Sequence, residues 1–327
     1  MASSGGTPSS LSHPVAAGGT LQVGKLSLRG VVEVRAGVGG LSGLWVSEDG
    51  ERLTSVTDVG QLVTGRLSYD PQGWLAAVED VESTPLPLDL DAASRKRLRD
   101  AEEITRLADG SWLVSFERKH RILRYRPSSQ GPSGKPTRLP QPPGLEKAPA
   151  NGGIEAMAAL ADGRLFVLEE GDDDGVRERY AWIGAPALRE RDDWQPLTYR
   201  AAPHFRPVGA AGLPDGGALV LERRVSLLGG WGTRIVRVQA SALRPGAVIV
   251  GEELARLEAP LPLDNYEGIA VRPGPGGEVL IYLVSDDNFM PIQATYVMML
   301  ALPLDDKKRD VQMEVQDIGP GERRSAL

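Results

Sequence analysis

A phrase recurs five times along this chain at nearly constant spacing. In its full form it is a glutamate, a short apolar run, a Gly-containing turn and then an apolar strand ending in an acid. Glu102-Glu103-Ile104 leads to Asp109-Gly110, Glu155-Ala156-Met157 to Asp162-Gly163, and Glu267-Gly268-Ile269 to Pro273-Gly274. Weaker copies run from Ser42-Gly43-Leu44 to Asp49-Gly50 and from Val208-Gly209-Ala210 to Asp215-Gly216. The starts at 42, 102, 155, 208 and 267 give steps of 60, 53, 53 and 59 residues. A period of that size belongs to supersecondary units that bury their faces against one another, in a stack or around an axis.

Inside each unit the apolar runs have the length of strands. After Asp109-Gly110 come Ser111 to Glu117 and Arg121 to Tyr125; after Pro273-Gly274 come Glu278 to Asp286 and Thr295 to Leu302. Runs of four to eight residues bounded by Gly, Asp and Pro are meander strands, and the 39 glycines and 25 prolines supply many turns. Only Asp91 to Asp100 carries a helix signal, with an N-cap aspartate and good helix formers. Repeated four-stranded meanders predict an all-β fold, a β-propeller, in which radial closure protects the strand edges. Five units are countable. Leu21 to Arg35 and Val311 to Ile318 are left over, and together they would close a sixth blade or complete the fifth.

Residues 1–19 are rich in Ser, Gly, Pro and Ala and lack an apolar signal core, so they read as a flexible tail before one propeller domain over 20–327. With 37 basic and 44 acidic residues the net charge is −7, which argues against nucleic acid as a partner and favours cations. There is no cysteine, hence no disulfide or thiol catalysis, and no run long enough to span a membrane.

If the repeated glutamates share one register, closure brings Glu102, Glu155 and Glu267 around a common axis. The second strands also end in acids: Asp58, Glu117, Glu169-Glu170, Glu222 and Asp286-Asp287 followed by Asn288. Crowded carboxylates repel unless a cation, an arginine or a shared proton relieves them. Oxygen ligands without Cys and with few His favour calcium, with magnesium as the alternative, over zinc. The expected metal ligands are therefore Glu102, Glu155, Glu267, Asp286, Asp287 and Asn288. The competing reading is structural: each glutamate accepts backbone hydrogen bonds from the next blade and locks the ring.

Arg118 follows Glu117, and Arg223-Arg224 follow Glu222. Guanidinium forks suit a phosphate or carboxylate, so these three arginines are the expected anion-binding residues, with Phe289 as an apolar wall. Glu117 and His120 are the candidate bases. Salt bridging and a solvated histidine are the plainer alternatives. The run Gly171-Asp172-Asp173-Asp174-Gly175 lacks the spacing of a calcium loop and reads as solvated. No nucleophile elbow, P-loop, dinucleotide fingerprint or His-Glu-x-x-His occurs, and Gly229-Gly230-Trp231-Gly232 has no strand-to-helix context.

Five ordered segments carry a family resemblance: Gly39 to Leu44; Ala101 to Ile104 with Ser115 to Ile122; Asn151 to Met157; Leu221 to Arg224; and Asp264 to Ile269 with Ser285 to Phe289. Through them the chain, from about residue 30 to 302, resembles the bacterial phytase-like proteins described by an esterase-like activity of phytase. The resemblance implies a propeller, with six blades favoured, exported to the periplasm or secreted, and acting as a monomer. It implies hydrolysis of a small anionic ester or phosphorylated substrate. The histidine- and lysine-bearing motifs of calcium-dependent alkaline phytases are missing, which leaves phytate itself aside. The alternative function is a non-catalytic periplasmic propeller that binds a ligand or partner at the same mouth.

Overall fold

The computed structural model describes residues 20–35, 37–88, 98–172, 175–226, 230–290 and 293–303. Among them the chain forms twenty-two strands, three short 3-10 turns and no α-helix. The strands make five sheets, and each begins with one of the five repeats. Blade one holds β3 (Leu41–Val46), β4 (Arg52–Thr57), β5 (Gln61–Tyr69) and β6 (Leu75–Pro85) in chain order. Blade two holds β7 (Ala101–Arg106), β8 (Trp112–Phe116), β9 (Arg121–Tyr125) and β10 (Thr137–Arg138). Blade three holds β11 (Ile154–Ala159), β12 (Leu165–Glu169), β13 (Glu178–Gly184) and β14 (Trp194–Arg200).

Blade four holds β15 (Arg206–Gly212), β16 (Ala218–Ser226), β17 (Gly230–Val238) and β19 (Glu252–Arg256). Between β17 and β19 the chain reaches back, and β18 (Val248–Ile249) pairs in parallel with β14 of blade three. Blade five holds β20 (Asn265–Pro273), β21 (Val279–Asp286) and β22 (Tyr296–Leu302). Its outer strands come from the other end of the sequence: β2 (Leu26–Glu33) pairs antiparallel with β22, and β1 (Gln22–Val23) pairs with β2.

That closure corrects the blade number. Leu21 to Arg35 does not start a sixth blade, because its backbone donors and acceptors are used by the free edge of β22. The other leftover segment, Val311 to Ile318, lies outside the described residues, as do residues 1–19 and most of the helix expected over Asp91 to Asp100. The innermost strands β3, β7, β11, β15 and β20 touch one another in order, and β20 returns to β3.

Blade-to-blade packing explains why the strands read as nearly unbroken apolar runs. Each sheet is covered on both faces, so successive side chains enter different cores. In β8, Val114 joins the core shared with blade one while Leu113 joins the core shared with blade three. Five such cores alternate with the five blades. Trp112, Trp182 and Trp194 are almost completely buried in them, and each such side chain contributes about 1.5–3 kcal/mol or more through its apolar area.

All five inner strands share one irregularity. The ladder slips between Leu41 and Leu44, Ala101 and Ile104, Ile154 and Ala156, Pro207 and Gly209, and Tyr266 and Gly268. These β-bulges fall on the start of each repeat. A bulge leaves residues unpaired and re-aims their side chains. Here it falls at the first residue of each repeat, and it brings Glu102, Glu155 and Glu267 near one another.

Candidate functional site

The bulges stack three levels of residues along the axis at one end of the ring. The lowest level is Gly43, Glu103, Ala156, Gly209 and Gly268, one from each blade. Four are small and the fifth is a fully buried glutamate. The Glu103 carboxylate accepts the N–H of Ile104 at 2.9 Å and of Ala210, from blade four, at 3.1 Å. Leu44 of blade one and Met157 of blade three also donate backbone N–H groups to it. Burial pushes the Glu103 pKa well up, and the four N–H donors pull against that rise. Gly43 must be glycine, since a Cβ there would lie 2.3 Å from a Glu103 oxygen. An interblade lock of the kind weighed for Glu102, Glu155 and Glu267 is made by Glu103, next to Glu102 in the chain.

The next level is Ser42, Glu102, Glu155, Val208 and Glu267, the first residues of the repeats. The sequence register is therefore the structural one, and the three glutamates do converge. Around and above them lie the ends of the second strands: Asp58, Glu117, Glu170, Arg223 and Asp286. Their common register is fixed by backbone pairing with the first strand: Asp58 to Gly40, Glu117 to Asp100, Glu170 to Gly153, Arg223 to Arg206 and Asp286 to Asn265. Blade four thus offers valine and arginine where most other blades offer acids.

Arg223 ties this acidic ring together. One guanidinium nitrogen bonds Asn265 Oδ1 at 2.7 Å and Glu267 Oε1, and the other bonds Glu170 Oε1 at 2.9 Å. Asn265 in turn donates to Glu267 at 2.9 Å. The Trp231 ring lies 5.8 Å from the guanidinium carbon. Burial opposes the Arg223 charge, but Glu267, Glu170 and Glu155 together hold its pKa above the ordinary value.

Across the channel the acids meet without such a counterion. Asp100, Glu102 and Glu117 each place a carboxylate oxygen within 4.8 Å of the others. Arg118, in a left-handed conformation (φ 57), bonds Asp100 from the rim and remains half exposed. Glu155 lies within hydrogen-bonding reach of Glu117, and that contact pulls against the rise in the Glu117 pKa. Loss of water, and then the charges of Glu117 and Asp100, push the Glu102 pKa well up. Burial and Glu170 do the same to Glu155. Burial and Asp100 raise Glu117 to about 7. Glu267 is raised by burial despite Arg223. Asp58 is raised by burial and by Asp100. Asp286 is pushed up to about 7 by burial and by Glu267.

The Asp286 loop and the remaining expected site residues have local partners of their own. Asp286 and Asp287 cap their own turn, accepting the N–H of Asn288 at 2.7 Å and of Phe289 at 3.0 Å. Asp287 also accepts the N–H of Gly40 at 3.3 Å. The Asn288 side chain turns away to Gln293. Phe289 is 59% exposed and, with Met290, flanks a groove of about 460 Å³ beside the mouth, also lined by Arg35 and Val38.

Arg224 projects to the opposite face of its strand, over Phe205 at 5.3 Å, and does not join the mouth. Glu222 goes with it: fully buried, it accepts the Tyr199 hydroxyl at 2.7 Å and pairs with Arg234 at 3.3 Å. His120 sits half-buried with Nε2 2.9 Å from the Pro149 carbonyl, and burial lowers its pKa. It contacts none of the clustered carboxylates. Sequence reasoning missed Asp100, which lies at the end of the expected helix, and did not assign Asn265 and Glu170 to the site. A carboxylate two residues before Glu102, and an amide two before Glu267, were the available signals.

Fold and mouth define the class: a five-bladed propeller carrying a carboxylate-rich site on its axis. The chain belongs to the Phytase-like family, described as "Esterase-like activity of phytase", whose model matches residues 36–289. No curated protein sequence matches it. Among solved structures it is similar to a gluconolactonase from Xanthomonas campestris, at 12% identity over 83% of this chain and 89% of that one, with a TM-score of 0.44. It is also similar to a luciferin-regenerating enzyme, at 15% identity over 83% and 94%, with a TM-score of 0.40. A glucose dehydrogenase shares 12% identity over 84% and 99%, with a TM-score of 0.42. Among the described residues no helix is long and apolar enough to cross a membrane.

Proposed function

We propose that this protein is a metal-assisted hydrolase of small anionic esters, phosphoesters included, working at the acid-lined mouth. The observation that carries the proposal is the meeting of Asp100, Glu102 and Glu117, with one oxygen of each within 4.8 Å of the others and, among the described residues, Arg118 as the one direct counterion. Like charges held this close ask for a cation or a proton. The donor set is all hard oxygen, which fits calcium first and magnesium second. When bound, such an ion polarises an ester oxygen and lowers the pKa of its water.

The remaining roles follow from placement. Glu155, beside Glu117, is the group placed to take or return a proton. Arg223 holds Glu170 and Glu267 in fixed places and is itself enclosed, so it orients rather than receives substrate. Arg118, half exposed on the rim, is the cation that meets the anionic group of the substrate. The esterase-like description of the family supports this reading over a purely binding propeller. The test is hydrolysis of p-nitrophenyl acetate and p-nitrophenyl phosphate by chelator-treated protein with and without added calcium. Turnover that appears only with the ion supports the proposal. Turnover of neither ester under any metal condition would return the protein to the binding class.

A further inference from the structure

The opposite end of the propeller carries a second cavity, of about 610 Å³, at the seam where blade five closes on blade one. Its walls include Arg29, Tyr69, Trp74 and Arg272, over a buried floor of Leu280 and Met299. Two irregularities build it. The β2–β22 ladder slips between Leu28 and Val31, so Arg29 leaves the ladder, and its guanidinium lies 5.5 Å from the Trp74 ring of the next blade. The β5–β6 ladder slips between Ser68 and Tyr69, and the Tyr69 ring lies 5.6 Å from the Arg272 guanidinium. Bulges of this kind re-aim side chains, and here two facing blades aim theirs into one space. The Trp74 backbone N–H bonds Asp70 Oδ1 at 2.8 Å, which holds the turn that carries the ring, and Arg272 is held by its bond to the Tyr282 hydroxyl at 3.0 Å.

Among the described residues neither Arg29 nor Arg272 forms an ion pair with a carboxylate. Both are half-buried, where an unmatched charge is costlier than at the surface. Asp49 and Glu278 line the Arg272 side of the cavity; the Asp49 carboxylate is engaged by Ser47 and by the Glu51 N–H and also feels the Arg272 charge, which leaves Arg29 as the anchor for an anion. We infer that this cavity binds a small aromatic carboxylate, with its flat apolar body on the Leu280–Met299 floor and its anionic head at Arg29. The volume falls within the range of small-molecule sites, which combine apolar walls with a few polar anchors.

Isothermal titration with naphthalene-2-carboxylate, and with its neutral carboxamide as control, tests the inference. The carboxylate is expected to bind the wild type more tightly than the carboxamide. Arg29→Gln should weaken the carboxylate by about tenfold, the factor of a charge-assisted hydrogen bond, and leave the carboxamide unchanged. Gln72→Trp, at an exposed position on the cavity rim, should weaken both probes without touching the core, and it serves if Arg29→Gln fails to fold. Equal binding of the two probes by wild type, unchanged carboxylate binding in the variants, or no heat with either probe at millimolar concentration would overturn it.

Discussion

The carboxylate of Glu103 in blade two accepts the backbone N–H of Ala210 in blade four at 3.1 Å, although 107 residues separate them in sequence. With Leu44, Ile104 and Met157 also donating, one buried side chain joins four of the five blades. Glu103→Gln turns one acceptor into a donor facing N–H groups, and Glu103→Ala leaves all of them unsatisfied. We expect losses of about 1–3 kcal/mol for the glutamine and more for the alanine, as for other buried polar networks. Urea denaturation measures both, and a neutral alanine variant would refute the lock.

Glu222 belongs to a different network, and its variants should separate structure from function. Tyr199→Phe removes the hydroxyl bonded to Glu222 at 2.7 Å. The expected cost is about 1–3 kcal/mol of stability, with ester turnover and calcium response retained in the folded protein. Loss of turnover at unchanged stability would place Glu222 in the site after all.

His120 donates from Nε2 to the Pro149 carbonyl and bonds no site carboxylate. His120→Gln should therefore keep turnover within about twofold of wild type, far from the 100-fold or greater loss typical of a missing general base. A bell-shaped pH profile whose one limb vanishes in this variant would restore it as a base.

Stability of the ion-free protein should fall as pH rises. The folded pKa of Asp286 is about 7, against an ordinary value of 3.8, because burial and Glu267 disfavour its charge. A raised folded pKa means the folded state holds the proton more tightly, so this stabilisation is complete below pH 3.8 and disappears as pH passes 7. Glu169, raised to about 7 chiefly by burial, acts in the same direction. Asp286→Asn keeps the bond to the Asn288 N–H and removes the charge. Its advantage over wild type should grow between pH 5 and 8 to on the order of 2 kcal/mol, at about 1.4 kcal/mol per pKa unit. Parallel melting curves across that range would contradict the assignment.

Much of this architecture is readable from the chain. The five repeats mark the five inner strands, and Glu102, Glu155 and Glu267 share the level their spacing predicts. What the residue pattern hides is parity. In β16 the period of two sends Arg223 into the channel and Glu222 to Tyr199, so the acid that looked equivalent to Glu117 is not. In β7 a bulge puts Glu102 and Glu103 on successive levels of one axis, with different chemistry for each. Bulges depend on backbone pairing across strands, so neighbouring residue types do not reveal them. The five countable repeats match the five blades, while the sixth blade implied by the resemblance is absent: β2 completes the fifth by pairing with β22, more than 260 residues away.

If Asp100, Glu102 and Glu117 hold a divalent cation on which ester hydrolysis depends, calcium titration of chelator-treated wild type and Glu102→Gln, with turnover followed in the same samples, will show it. Calcium should bind saturably with an occupancy that tracks turnover, and the variant should lose about 10- to 100-fold in both, the scale of a perturbed metal site. Full turnover in chelator, or calcium binding unchanged in Glu102→Gln, would contradict it.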